Sequence, residues 1–483
     1  MFEILLSLAI VTQDQIPLRG APTENAARHA VLSHGDTLEV RGLKGDYLQV
    51  YDHRRERAGF ILATQAARHE LDAQSAPKLL AVTEFLKNQP GSEALGIAYG
   101  AAFLKAAPAK TIDAGVFEAL GVMADRLAWR ASRLTQNDEK TARTVSAHLE
   151  TAASYGVSFY SVERNDKVSL CYNGDAWRHV LALPASSTQK ASAALSLTRH
   201  ECVKPELLPS ERLAADHERA ETLGRVLEEG ARQGDLPEHL NHRLKTRAAG
   251  VWASIAHRLA MKGDGDTTAV LAAGQKAEAF LAGVDKKALN ANELLAWNVA
   301  AIRVGASRWA MQPQTLAEPA KGRPGIQLVA GDKPGQTCIK VVLAEKGKVA
   351  ADDFAPCTYG HVWTASLAIS PDGNMMTLAV QPLDTWRELW VFRREEGGWQ
   401  LEVVPPSVDN PELGYIEFAG WVPGNKQMLV AREVVLNGQV KTSFELWNRN
   451  TLAVERHADK PGNLSAFYRW QDPVWKGGTV AVR

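Results

Sequence analysis

Hydrophobic and polar positions along this chain change their period twice. Over residues 12–66 they alternate: Ile16 and Leu18, then Leu32, Leu38 and Val40 around Gly35-Asp36, then Tyr47-Leu48-Gln49-Val50 and Gly59-Phe60-Ile61. Successive side chains of a strand face opposite sides, so a period of two with glycine turns about 8–12 residues apart predicts a small β-barrel or sandwich. From Gln74 to Met311 the apolar positions recur at helical spacing. Val116, Leu120, Met123 and Leu127 form one stripe, and Leu240, Leu244, Val251, Ile255 and Leu259 another. Roughly eight to ten helices fit that stretch at ordinary lengths. Pro237 suits a first helical turn, Asp264-Gly265-Asp266-Thr267 the end of one helix and the cap of the next, and Asn290 to Asn292 a further boundary. Gly96 and Gly100, one turn apart, permit two helices to approach closely.

Val157 to Trp177 interrupts the helices. Its two apolar runs flank Arg164-Asn165-Asp166 and suit a hairpin; a pair of helix ends held by Cys171 is the other reading. Residues 312–324, rich in Pro and poor in apolar side chains, read as a linker. The remainder reads as β to its end. Thr364 to Val404 divides into four short strands, the first two separated by Ser370-Pro371-Asp372-Gly373. A second copy starts at Tyr415 and turns at Pro423-Gly424-Asn425. A truncated third is expected at Phe467-Tyr468-Arg469-Trp470, Asp472-Pro473 and Thr479 to Val482. A period of about 50 residues with four strands each suits propeller blades.

Two resemblances sit on these motifs. Leu18-Arg19-Gly20-Ala21-Pro22, Gly35 with Leu38 and Val40, Tyr47 with Val50, and Gly59-Phe60-Ile61 resemble the pattern of bacterial SH3-like domains, with Tyr47 and Phe60 where that family carries Trp. The resemblance implies a module that contacts peptidoglycan or a protein partner. The Ser-Pro-Asp-Gly turn between apolar strands resembles blades of TolB-type and WD-repeat propellers. Too few copies follow to close a ring, so an incomplete propeller is expected, its open edges covered by the helical region or a partner.

The fold expected is therefore multidomain α+β. It comprises an SH3-like β-barrel over 12–66, an α-helical domain over 74–311, a linker at 312–324 and a propeller-like antiparallel β domain over 325–483.

The four cysteines fall into two local pairs, Cys171 with Cys202 and Cys338 with Cys357, none at metal-ligand spacing. Two disulfides in an oxidising compartment are expected. A turn at Gly347-Lys348 would place residue 338 opposite 357, with Pro356 interrupting the ladder. The apolar run Ile4 to Val11 has signal-peptide length but lacks a basic leader and follows Glu3, so it reads as the end of a secretion signal or as a first strand. No later run is long enough to span a membrane.

Over 483 residues the formal net charge is zero, which argues against nucleic acid as a partner. Sequence motifs for hydrolases, zinc peptidases and nucleotide binding are missing, so no catalytic residue, cofactor or metal ligand is assigned. His239 and His242 are three apart on a helix and read as exposed. Of the 13 Trp, Trp390 and Trp447 alternate as core positions, whereas Trp386 and Trp475 lie in turn-like sequence and are surface candidates. With Tyr47 and Phe60 these two make the candidate binding residues. His53-Arg54-Arg55-Glu56-Arg57 reads as a solvated turn. The function expected is a non-catalytic binding or scaffolding protein of the bacterial periplasm or envelope, with the cytoplasm as the other location. The alternative is a cell-wall hydrolase with its site in the helical domain.

Overall fold

The computed structural model describes residues 7–134, 138–164, 167–263, 266–316, 318–345, 348–351, 354–408, 413–436 and 438–477. It is a mixed α+β structure with twelve α-helices and several antiparallel sheets among those residues. The chain forms two compact units, one of Met1–Glu206 with Glu228–Leu236, the other of Leu207–Leu227 with Pro237–Arg483.

The first unit opens with seven strands: β1 (Ser7–Val11), β2 (Ile16–Arg19), β3 (Arg28–Leu32), β4 (Thr37–Lys44), β5 (Tyr47–Asp52), β6 (Arg57–Leu62) and β7 (Ala66–Glu70). They run β3-β2-β6-β5-β4-β1-β7 as an open sheet with β3 and β7 at its edges, so the barrel expected from the strand spacing is not closed. Ser7–Val11 of the apolar run before Thr12 form β1, paired on its two sides with β4 and β7. It is buried on both faces, as a central strand with a continuous apolar run requires. Ala9 and Val11 join Leu18, Leu38, Val50 and Ile61 in one core, while Ile10 faces Leu79, Leu86, Tyr99 and Phe103.

Those last residues belong to α1 (Ala76–Lys87) and α2 (Glu93–Ala106). Next come α3 (Ala114–Ser132) and α4 (Glu139–Ser154), then β8 (Phe159–Arg164) and β9 (Lys167–Tyr172), then α5 (Asp175–Ala182) and α6 (Ser187–Leu197). Gly96 and Gly100 do set helix approach: a Cβ on Gly100 would lie 2.8 Å from Leu120 of α3, and one on Gly96 would overlap Met123. The interruption at Val157–Trp177 is the expected hairpin, with Phe159 opposite Tyr172; Asn165 and Asp166 lie outside the described residues. Cys171 of β9 is bonded to Cys202 in the turn after α6.

The helix α7 (Pro209–Gln233) contains the division between the units. In the second unit α8 (Glu238–Lys262), α9 (Thr267–Ala282) and α10 (Ala291–Ala306) share a core of Ala249, Leu281, Trp297 and Val304. The expected caps hold. Asp266 Oδ1 accepts from Ala269 N, and Asn290 with Glu293 forms a capping box at α10.

Strands follow in two sheets. The first holds β10 (Pro324–Ala330), β11 (Thr337–Glu345), β12 (Lys348–Ala351) and β13 (Cys357–Thr358). Cys338 lies opposite Cys357 and is bonded to it, but the route differs from expectation. The β11–β12 register pairs Glu345 with Lys348, which alone would not bring 338 to 357. Between β12 and β13 the register on β11 shifts by two residues, and Ile339 N donates to Pro356 O. Gly347 lies outside the described residues.

The second sheet contains two four-stranded meanders. One is β14 (His361–Ile369), β15 (Met375–Leu383), β16 (Trp386–Glu395) and β17 (Gly398–Val404); the other is β18 (Leu413–Trp421), β19 (Gln427–Leu436), β20 (Gln439–Asn448) and β21 (Val454–Ala458). A short parallel pairing of Trp386 with Gly414 and Arg387 with Tyr415 joins them.

The expected third copy is not a strand pair. Phe467 to Trp470 lies in α11 (Ser465–Trp470), and Asp472-Pro473 starts α12 (Pro473–Gly477) rather than a turn. Asp472 Oδ1 accepts from Val474 N and proline fits the first helical position, the chemistry of a helix start. Thr479 to Val482 lie outside the described residues.

Helices cover these sheets within the same unit. Ile302 and Ala306 of α10 pack on Leu413, Tyr415 and Val435, while Phe467 and Trp475 pack on Ala419, Leu429, Phe444 and Leu446. The residues after Met311 are anchored too: Leu316 reaches the sheet core, and Arg323 donates to the carbonyls of Ser370 and Pro371.

Candidate functional site

The second unit contains a cavity of about 330 Å³ where the end of α8, the start of α9, residues 310–314 and β14 meet. Each wall follows from local sequence. Gly263, at φ 68, ends α8 in a left-handed cap, and Asp266 starts α9. The turn Arg308–Met311 then runs into Gln312-Pro313-Gln314. Gln314 pins this stretch to the sheet: its Nε2 donates to Trp309 O at 2.6 Å and Gln312 O at 2.8 Å, and its Oε1 accepts from Ala365 N at 3.3 Å. Leu259, Val270 and Trp363 give the walls their apolar character, with Thr267, Gln312 and His361 as polar points.

Two of these side chains are held in fixed orientation. The Trp363 indole Nε1 donates to Gln381 Oε1 at 2.8 Å, and Gln381 Nε2 donates to Ser307 Oγ at 3.2 Å. His361 stands edge-on to Trp363, ring centroids 4.3 Å apart. Burial, aided by His257 nearby, pushes the His361 pKa down to about 4, so its imidazole is neutral at ordinary pH. His257, fully buried, is lowered also by burial; its Nε2 faces Gln381 O at 3.3 Å. Beside it, burial works against ionised Asp384, but Arg258, Arg303, His257 and the hydrogen bond from Ser254 together outweigh it and hold the carboxyl below its usual range. Ser254 Oγ donates to Asp384 Oδ2 directly rather than to a histidine, so this trio is not arranged as a nucleophile and base. The cavity can enclose a small molecule with an apolar body and offer it a few fixed polar contacts.

The residues singled out from sequence lie elsewhere. Trp390 and Trp447 are core positions as expected, but Trp386 and Trp475 are buried rather than at the surface. Trp386 is turned inward by the tight hairpin in which it pairs with Leu383. Trp475 is covered because α12 folds back, and its Nε1 donates to Glu417 Oε1 at 2.8 Å. Tyr47 is buried in the first unit's sheet, and Phe60 is half-buried with the Lys44 ammonium 5.8 Å from its ring centre. His239 is exposed but His242 is buried, so the two do not share a solvent face. The 53–57 turn is not simply solvated: Arg54 and Arg55 both pair with buried Asp36, and Arg55 also with Asp52.

One cluster had no signal in the sequence. In the first unit Asp14, His34 and His148 bring one potential ligand atom each within 4.8 Å of one another. Burial disfavours the Asp14 carboxylate, yet the hydrogen bonds from His148 and from the His34 backbone outweigh it and lower its pKa.

No protein-family model, no curated protein and no solved structure matches the chain.

Proposed function

We propose that this chain is a non-catalytic binding protein of an oxidising, extracytoplasmic compartment, the bacterial periplasm or envelope. The cavity beside Trp363 and His361 carries the reading. Small-molecule sites are concave, mostly apolar, and fitted with a few placed polar groups, commonly above about 300 Å³. Its ligand is a small molecule with an apolar body, accepted by a neutral imidazole and by Gln312. Asp266, a lining acid, favours a neutral or cationic ligand over an anionic one. Two disulfides support the compartment, since such bonds persist where thiols are oxidised. No helix among the described residues is long and apolar enough to cross a membrane. In this reading the open seven-stranded sheet is the SH3-like module that contacts wall or a protein partner, and β14–β21 are propeller-like blades that support the cavity.

Native mass spectrometry of gently purified protein tests the reading. A small-molecule adduct is expected on the wild type and absent from Ala260→Phe, which fills the cavity from α8. Wild-type protein without adduct, and unresponsive to a library of apolar amines and amides, contradicts it.

A further inference from the structure

We propose that Asp14, His34 and His148 form a binding site for one divalent first-row transition-metal ion, independent of the cavity in the second unit.

The three residues come from separate elements of the first unit: the bend after β1, the turn after β3, and α4. His148 is 1% exposed, and its Nε2 lies 2.9 and 3.2 Å from the two carboxylate oxygens of Asp14. His34 Nδ1 lies 3.8 Å from Asp14 Oδ2. Zinc bonds to nitrogen and oxygen are about 2.0–2.1 Å, which sets the edge of a tetrahedron near ~3.3 Å. The Asp14–His148 distances fall just below that edge and the Asp14–His34 distance just above it, with all three ligand atoms within 4.8 Å of one another, so side-chain rotations would centre an ion.

The hydrogen bonds specify which atoms are available. His34 Nε2 is 2.5 Å from Thr12 O. A carbonyl only accepts, so Nε2 carries the hydrogen and Nδ1 of neutral His34 presents a lone pair. That lone pair is buried, has no hydrogen-bond partner, and faces a carboxylate oxygen. With the hydrogen on Nε2, that lone pair and the carboxylate oxygen 3.8 Å away converge as two donor atoms on one point, where a cation can bridge them. A backbone carbonyl on the far nitrogen is also the usual way a ligating histidine is oriented.

The neighbouring carboxylate sharpens the contrast. Asp36, which unlike Asp14 is buried, is neutralised by the guanidinium groups of Arg54 and Arg55. Asp14 has imidazoles instead, and two imidazoles with one carboxylate make a donor set for zinc or iron rather than calcium or magnesium. An Asp14–His148 hydrogen bond as a plain structural staple uses Nε2 of His148 and gives no role to His34 Nδ1. Asp14 and His34 are about a quarter exposed, so a further coordination position opens to solvent.

The test is Zn²⁺ titration of chelator-treated full-length protein by calorimetry, with Co²⁺ absorption as a second readout. One Zn²⁺ per chain is expected, with a Co²⁺ spectrum of low coordination number. Removing an outer partner of a metal site weakens binding about 10–100-fold, and removing a ligand should do at least as much. Asp14→Asn and His34→Gln should both show this. His34→Gln keeps a donor for Thr12 O, so it remains informative if His148→Ala fails to fold. His239→Ala should bind as wild type. No binding by wild-type protein, or wild-type affinity in Asp14→Asn and His34→Gln, overturns the proposal.

Discussion

Arg387 and Glu417 meet 2.6 Å apart with both side chains out of contact with solvent, joining β16 to β18 beside the parallel pairing of the two meanders. The pair is one edge of a larger network. Arg308 Nε donates to the same Glu417 oxygen at 2.7 Å, and Trp475 Nε1 donates to the other. Arg387 also donates to the carbonyls of Gly305 and Ala306, satisfying the end of α10, whose last acceptors are buried here. One carboxylate thus ties α10, both meanders and α12 together.

Removing it should be costly. Glu417→Ala leaves two buried guanidinium groups without their counter-charge, and such losses run at about 3–5 kcal/mol. Urea denaturation should show the second unit unfolding at much lower denaturant, with Glu417→Gln between variant and wild type. A shift of less than about 1 kcal/mol would contradict the network.

The two disulfides should differ in effect because they close loops of different length. Cys171–Cys202 spans 31 residues, which the chain-entropy treatment values at about 3–4 kcal/mol. Cys171→Ser with Cys202→Ser should lower the first unit's stability by that order, read by thermal melts with and without reductant. Reductant should no longer affect the first unit of the double variant.

Acid should act on the second unit in two separate windows. His361 has a folded pKa of about 4 against an ordinary 6.5. The unfolded chain therefore binds more protons between these values, and stability falls as pH drops from about 6.5 to about 4. His361→Asn should flatten that limb of a stability-against-pH curve.

Asp372 acts lower down. Burial opposes its charge, but hydrogen bonds from Ser370 and Arg449 prevail and lower its pKa to about 2 from 3.8. Its Oδ1 is 3.0 Å from Arg449, in the turn between β20 and β21 of the next meander. This stabilisation is present above about pH 4 and is lost as pH falls through about 2. Asp372→Asn should remove the limb between those values while leaving the one near pH 5 in place.

Much of this architecture was legible because it depends on local chemistry. Gly96 and Gly100 announce close helix approach, Asn290 to Asn292 a helix boundary, and Ser370-Pro371-Asp372-Gly373 a turn. In that turn Ser370 Oγ accepts from Met375 N, and Gly373 takes φ 72. What was not legible depends on the chain returning to itself. Trp475 looks exposed in sequence and is buried only because α12 folds over Phe444 and Phe467. Asp14 and His34 are 20 positions apart, and Asp14 and His148 are 134 apart, so no spacing rule finds them. The cavity likewise needs α8, α9, residues 310–314 and β14 together, and no single stretch carries its signature.

The central claim is that the cavity beside Trp363 holds a small molecule. A crystal structure of protein purified from its own compartment without denaturation tests it most directly. Density for a non-peptide molecule is expected against Leu259, Val270 and Trp363, within hydrogen-bond reach of His361 or Gln312. A cavity closed by repacking of those same side chains, in an otherwise unchanged second unit, would contradict it.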